Sequence, residues 1–101
     1  MRDGGTKGSG RLGHGMVSQI CRSAVSIPAN IAEGYGRGRR AEHIQYLEIG
    51  RGNLFELQTY LELAREMKWL DGEDLVAFAR FADETGRVVS ARLRSLKRRQ
   101  P

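Results

Sequence analysis

The sequence has few of the features that mark secreted, disulfide-linked or membrane-spanning proteins. Its 101 residues include one cysteine, Cys21, so no disulfide can form within the chain, and this scarcity is typical of a reducing cytoplasm. No apolar run approaches the roughly 20 residues that a membrane helix needs. The first residues also lack the apolar stretch of a secretory signal. We therefore expect a cytoplasmic protein without a membrane segment.

Groups that commonly carry out catalysis or bind metals are scarce as well. The two histidines, His14 and His43, are far apart in sequence and have no cysteine or acidic residue at metal-ligand spacing. Cys21 falls on the apolar stripe of a predicted helix, where we expect a buried core residue rather than a nucleophile. The sequence therefore predicts no metal site, no cofactor and no enzymatic activity.

Positive charge is plentiful and unevenly distributed. The net charge is +5, and residues 1–40 carry seven Lys or Arg against two acids. After Glu84 there is no further acid, and the last charged residues are all basic: Arg87, Arg92, Arg94, Lys97, Arg98 and Arg99. One interpretation is complementarity to a helix dipole, with bases at the C-terminal end. The other is a surface that binds a polyanion such as a nucleic acid.

The N-terminal segment, residues 1–15, contains six glycines and few apolar side chains. Such a composition buries too little surface to offset the entropy of ordering, so we predict a flexible segment. Residues 8–13 match the G-x-G-x-x-G pattern of dinucleotide-binding sites. Because no strand precedes them, we reject that interpretation.

The first amphipathic pattern runs from about residue 16 to residue 34. Its apolar residues recur at helical spacing, as Val17, Ile20, Ala24, Ile27 and Ile31. Pro28 lies inside this pattern and removes one backbone hydrogen bond, which predicts either a kink or two helices that meet at Ile27. Gly34 suits the left-handed residue that follows a helix end.

Two longer helical patterns follow, over about residues 40–68 and 73–98, with Asp71 placed to cap the second of them. Apolar residues repeat every seven positions in both. Gly50 falls on the apolar seam, where a missing side chain would let another backbone approach closely. No segment alternates with the period of a strand. The sequence predicts an all-α domain over residues 16–99, an antiparallel up-down bundle of three long helices.

Residues 26–34, SIPANIAEG, form an unusual string because a proline within an amphipathic helix is followed directly by N-I-A-E-G. With the residues that precede it from Ser18, and with Tyr46-Leu47 and the GNLFEL run of residues 52–57, this string resembles the four-helix-bundle proteins known as 23S rRNA-intervening-sequence proteins. The likeness covers about residues 12–98.

The resemblance implies a compact up-down four-helix bundle from bacteria, often assembled into a homopentamer. It also implies a protein that is not an enzyme. A related group serves diversity-generating retroelements as a basic accessory ring that binds a reverse transcriptase and RNA. On this likeness, the expected partners are further copies of the chain, RNA or DNA, and a reverse transcriptase or another protein.

The sequence departs from the family pattern in its first part. The family's first helix, a Trp-containing amphipathic segment, is missing, and the glycine-rich residues 1–15 stand in its place. We expect either a truncated or differently started chain, or a bundle completed by another chain. Three helices patterned to face a fourth would leave an apolar groove exposed, which favours association between molecules.

The residues of the proline-containing motif are expected to serve architecture rather than chemistry. They are Ser26, Pro28, Asn30, Glu33 and Gly34, with Gly50 in the next helix. Asn30 can bond to a backbone carbonyl freed by Pro28, and Glu33 can pair with Arg37 one turn later.

The best candidate for nucleic-acid binding is the turn that follows, in which glycines separate Tyr35, Arg37, Arg39 and Arg40. Glycine lets a backbone approach phosphates, arginine binds them bidentately, and tyrosine can stack on a base. The alternative is a solvated interhelical loop. In an antiparallel bundle this turn lies at the same end as the last turns of the third helix, which adds four residues to the candidate site: Arg94, Lys97, Arg98 and Arg99.

Two functions fit these patterns. The leading hypothesis is a protein that self-associates and binds RNA or DNA through a basic rim, mostly by electrostatic attraction. The alternative is a protein-interaction adaptor whose apolar groove accepts a partner helix, with charge serving only solubility.

Overall fold

The computed structural model describes residues 10–98, which form three helices and no strand. The helices are α1 (Gly10–Arg37), α2 (Arg40–Met67) and α3 (Gly72–Arg98). Residues 38–39 and 68–71 connect them, and such short connections make consecutive helices antiparallel. The predicted all-α antiparallel bundle is thus confirmed. None of the three helices combines the length and the hydropathy that crossing a membrane requires.

The N-terminal boundary of α1 differs from the prediction. The helix begins at Gly10 rather than near residue 16, so residues 10–15 are helical although we predicted a flexible segment over residues 1–15. Once a helix has nucleated, each added residue gains a backbone hydrogen bond without a new nucleation cost, and this offsets the low helix propensity of glycine. Residues 1–9, and with them the rest of that prediction, lie outside the described residues.

The C-terminal boundary of α1 also differs, because Gly34 lies inside the helix and does not end it. The helix continues to Arg37, and Gly38 takes the left-handed conformation, with a φ of 82°. Gly34 serves close packing instead: a Cβ atom there would lie 2.9 Å from the Cβ atom of Tyr46 on α2. Glycine at this position therefore allows α1 and α2 to approach each other.

Pro28 lies within a single helix, so the alternative of two helices meeting at Ile27 is wrong. Two side chains near it bond to backbone carbonyls one turn back. Ser26 Oγ donates to the Arg22 oxygen at 2.7 Å, and Asn30 Nδ2 donates to the Ser26 oxygen at 3.0 Å. We expected Asn30 to reach the carbonyl that Pro28 frees, but that carbonyl belongs to Ala24, which is six residues back and beyond the reach of an Asn side chain.

The core follows the predicted heptad repeats. α2 lies between the other two helices and packs along both, whereas α1 and α3 touch each other little. Both interleaved series of α2 are buried: Leu47, Leu54, Leu61, Gly50, Leu57 and Ala64. They meet Ile20 and Ile27 of α1 and Ala82, Val89 and Leu96 of α3.

The connection between α2 and α3 closes the other end of the bundle. Lys68 adopts a left-handed conformation that ends α2, and Trp69 and Leu70 are buried beneath it. The Asp74 backbone N–H donates to Asp71 Oδ1 at 3.0 Å, which confirms Asp71 as the cap of α3.

A groove between α1 and α3 remains open to solvent, as we expected for three helices patterned to face a fourth. This side groove has a volume of about 500 Å³ and is lined mainly by apolar residues: Ala24, Val25, Pro28, Asp74, Ala77, Phe78 and Phe81. Val25 is 69% exposed.

Cys21 is exposed, although we predicted a buried core residue. The stripe of α1 that faces α2 contains Ile20 and Ile27, and each step along a helix turns the side chain by about 100°. Cys21 therefore points away from α2 and falls on the stripe of Val25 and Pro28, which line the side groove.

Replacing each of the two glycines at the α1–α2 contact by alanine should change the stability of the protein differently. At Gly50 a Cβ atom would lie 3.8 Å from Ile31 Cγ1 and 3.9 Å from the Ile27 oxygen, which is ordinary contact. Gly50→Ala should therefore be neutral or stabilising by up to about 1 kcal/mol, whereas Gly34→Ala should cost about 1–3 kcal/mol through overlap with Tyr46. Urea unfolding followed by circular dichroism measures both. Equal stability of the two variants would contradict the close approach at Gly34.

Candidate functional site

The end of the bundle that carries the α1–α2 turn brings together residues from all three helices. Gly38 and Arg39 form the turn, and Arg39 is extended, with φ −105° and ψ 136°. From α3, the Arg92 guanidinium carbon lies 5.5 Å from the centre of the Tyr35 ring. As predicted, the basic turn and the C-terminal part of α3 lie at the same end of the molecule.

These residues enclose a pocket, which we call the end pocket. Its volume is about 310 Å³, and it is lined by Gly34, Tyr35, Gly38, Arg39, Arg40, His43, Arg92 and Leu96. Three arginines line it, and no acidic side chain does. The end pocket therefore offers a positively charged environment in a partly enclosed space.

His43 forms the buried wall of the end pocket. The Tyr35 and His43 rings lie 4.4 Å apart between centres and are tilted by 55°. His43 is only 8% exposed, and its Nε2 atom has no hydrogen-bond partner among the described residues. Burial first, and then the charge of Arg92, lower the pKa of His43 below its ordinary value of 6.5, so the ring is neutral near pH 7.

Arg92 carries the second buried polar group without a partner. Its Nε atom is inaccessible to solvent and makes no hydrogen bond to residues 10–98. Neither His43 nor Arg92 was among the predicted binding residues. The sequence pattern could have identified both residues. His43 lies one turn before Leu47 on the buried stripe of α2, and Arg92 lies seven residues after Thr85, at the same heptad position of α3. A polar residue at such a position is unusual and needs a partner.

Arg37 is engaged in contacts within the fold. Its guanidinium donates to Glu33 Oε2 at 2.8 Å and to the Tyr46 hydroxyl at 3.1 Å. The first contact confirms the predicted pair of Glu33 and Arg37. The second ties the end of α1 to α2. Of the predicted basic turn, Arg39 and Arg40 are therefore better placed to bind a ligand, because they form no ion pair with the described residues.

The residues of α3 that we predicted to bind nucleic acid do not share one site. Lys97 Nζ donates to Glu48 Oε2 at 2.5 Å and links α3 to α2. Arg94 lines a different groove, beside Asp83 and Arg87, rather than the end pocket. Arg98 is exposed in the last turn of α3, and Arg99 lies outside the described residues.

His14 belongs to α1, but its side chain is not described. Among the side chains that are described, no three of His, Cys, Asp or Glu come together as a metal site would require.

His43 should make the stability of the protein depend on pH. Because its pKa is lowered in the folded state, the unfolded chain binds more protons below about pH 6.5, and the free energy of unfolding falls as the pH drops through that range. The pKa of Glu48 is lowered too, first by its hydrogen bond from Lys97, but that carboxyl affects stability only below about pH 4.5.

Urea unfolding at about pH 7.5 and about pH 5.5 tests the effect of His43, since Glu48 stays ionised at both. The wild type should unfold at lower urea at the acid pH, and His43→Phe should lose most of this difference. A wild-type midpoint that does not change between the two conditions would show that His43 is not buried in its neutral form.

Comparison with known proteins places the chain in a family. A family model described as 23S rRNA-intervening sequence protein matches residues 12–91. No curated protein matches the sequence. The matched region holds most of the described part of α1, all of α2 and most of α3, including the SIPANIAEG string and the basic turn. Because it spans well over half of the 101 residues, the chain belongs to the family of 23S rRNA-intervening sequence proteins.

Proposed function

We propose that this protein self-associates and binds RNA or DNA at its basic end, which we define as the surface around Tyr35, Arg39, Arg40, His43 and Arg92. It acts by binding and not by catalysis. The observation that carries the proposal is the convergence of Arg39 and Arg40 with Arg92 and Tyr35 around one pocket. Arginine and an exposed aromatic ring are the side chains that proteins use for phosphates and unpaired bases.

Charge and exposure support the basic end as the contact surface. Arg39 and Arg40 are exposed at the turn, and Tyr35 stays 55% exposed although it packs against His43 and Arg92. A strand could therefore follow the arginines with its phosphates and place a base against the free part of the Tyr35 ring. The name of the family refers to 23S rRNA, so RNA is the first nucleic acid to test.

The side groove supports the second part of the proposal, self-association. Its apolar lining lies between two helices that hardly touch, which is where a further helix would complete a four-helix bundle. We propose that a helix of a second copy covers this groove. The alternative function, an adaptor for another protein, uses the same groove but gives the basic end no role.

Loss of Arg39 and Arg40 should weaken binding to nucleic acid and reduce its dependence on salt. Fluorescence anisotropy with single-stranded RNA and with duplex DNA, each at several salt concentrations, measures both. For RNA, the Arg39→Ala/Arg40→Ala variant should make the negative slope of log K against log salt shallower by roughly 0.7 for each lost phosphate contact.

A matched control for that experiment is Arg65→Ala/Arg87→Ala. It removes the same charge from two arginines that pair with Glu62 and Asp83 and lie outside the end pocket. The control should bind nearly as the wild type does. An absence of wild-type binding at low salt would reject nucleic-acid binding and leave the adaptor function. Equal losses in the two double variants would show that net charge, and not the basic end, governs affinity.

A charge in the side groove should prevent self-association. Val25→Glu replaces an apolar side chain of the groove by a carboxylate. Because Val25 is 69% exposed, the fold of the single chain should tolerate this substitution. Size-exclusion chromatography with light scattering should give oligomers for the wild type and a smaller species for this variant.

Val88→Glu is the matched control, because Val88 is 63% exposed and does not line the side groove. It should keep the oligomeric state of the wild type. A wild type that is monomeric at micromolar concentration, or an oligomer that both variants retain, would contradict the proposed use of the groove.

A further inference from the structure

Two buried polar atoms without partners among the described residues belong to side chains that line the end pocket. They are His43 Nε2 and Arg92 Nε, from α2 and α3. His43 is 92% buried, with 8% of its surface exposed, and its side chain lines the pocket. Burying a hydrogen-bonding group without a partner is unfavourable, and native proteins rarely do so without a bound ligand or water. A ligand or a water molecule at the pocket would supply the missing partners.

The beginning of α2 offers further donors at the same place. Arg39 precedes the helix but makes no side-chain capping bond, and the first helical backbone bond at this end runs from the His43 N–H to the Arg39 oxygen, at 2.9 Å. The backbone N–H groups of the first turn are consequently without helical partners. Such groups, together with the positive end of the helix dipole, favour an anion.

The charge of the pocket favours an anion as its ligand. The pocket walls carry three arginines and no carboxylate. Its volume of about 310 Å³ leaves room for a phosphate group together with solvent. Arginine matches the oxygens of a phosphate with paired N–H donors.

We propose that the end pocket binds a single phosphate group. Arg39, Arg40 and Arg92 supply the charge, and the His43 ring, once it turns to bring an N–H to the pocket, donates a hydrogen bond. The inference rests on the proposed function, since the phosphate would belong to the bound RNA or DNA strand. It deepens that function by assigning the buried His43 and the half-buried Arg92 to a contact that a purely electrostatic surface would not need.

Inorganic phosphate is the probe for this pocket, and the His43 ring signals in NMR are the readout. Phosphate should shift these signals in a saturable way and raise the pKa of His43, because a nearby anion favours the charged imidazole. His14→Gln leaves His43 as the single histidine and so assigns the signals. Added chloride at the same ionic strength is the control. Unchanged His43 signals in phosphate would overturn the proposal.

Two variants of α3 distinguish phosphate binding in the end pocket from a general effect of positive charge. Arg92→Met should weaken phosphate binding by roughly tenfold to a hundredfold, the effect of losing a hydrogen-bonded charge. Arg94→Met removes the same charge two residues away in a different groove and should change binding less than threefold. His43→Phe, which keeps a ring against Tyr35, should also weaken binding by about tenfold. Equal effects of Arg92→Met and Arg94→Met would contradict phosphate binding in the end pocket.

Titration with a short RNA distinguishes this inference from the proposed function. If RNA shifts the His43 signals as phosphate does, the bound phosphate belongs to the strand. If RNA binds through Arg39 and Arg40 but leaves His43 unchanged, the proposed function stands and the phosphate pocket is wrong. If phosphate binds at His43 and RNA does not bind at all, the pocket stands as a site for free phosphate or a nucleotide, and the proposed function is wrong.

Discussion

The close approach of α1 to α2 is the contact on which the rest of the structure depends. Glycine at position 34 leaves out the side chain that would overlap Tyr46 and separate the two helices. The approach at Gly34 brings Tyr35, the next residue, against the ring of His43 and sets the wall of the end pocket. Arg37 reinforces the same contact from the end of α1 through Tyr46. The geometry of the basic end is thus a consequence of helix packing.

Helical spacing connects the two surfaces described above. Tyr35 follows Pro28 by seven residues on α1, and Arg92 follows Phe78 by fourteen on α3, so each lies on the stripe of its helix that borders the side groove. The side groove and the end pocket therefore lie along the same side of the bundle.

Much of the fold could be predicted from the sequence, because heptad spacing identifies buried faces directly. The stripe from Leu47 to Ala64 and the cap at Asp71 follow from local pattern alone. The end of α1 could not be predicted so well, since a glycine that ends a helix and a glycine that admits another helix look the same in sequence. Gly34 is of the second kind, and only the position of Tyr46 reveals it. The exposure of Cys21 likewise depends on which stripe of α1 meets α2.

The candidate site was predicted in its location and only in part in its composition. Short connections and antiparallel helices were enough to bring the basic turn and the end of α3 together. Which arginines remain available depends on side-chain partners, and here Arg37 and Lys97 are engaged by Glu33 and Glu48. Basic residues that are close in the sequence of α3 also face different ways: Arg92 lines the end pocket, whereas Arg94 lines another groove. Their spacing of two residues turns them about 200° apart on the helix, but which of them faces the turn depends on how α3 packs.

Amide chemical-shift mapping with a short RNA tests nucleic-acid binding at the basic end most directly, because it reports on the whole chain at once. Binding there predicts that the largest shifts fall at Tyr35, at the turn of Gly38 and Arg39, and at His43 and Arg92, while the connection at residues 68–71 at the opposite end changes little. Shifts centred on that opposite end, or no shifts at low salt, would contradict the proposed role of the basic end.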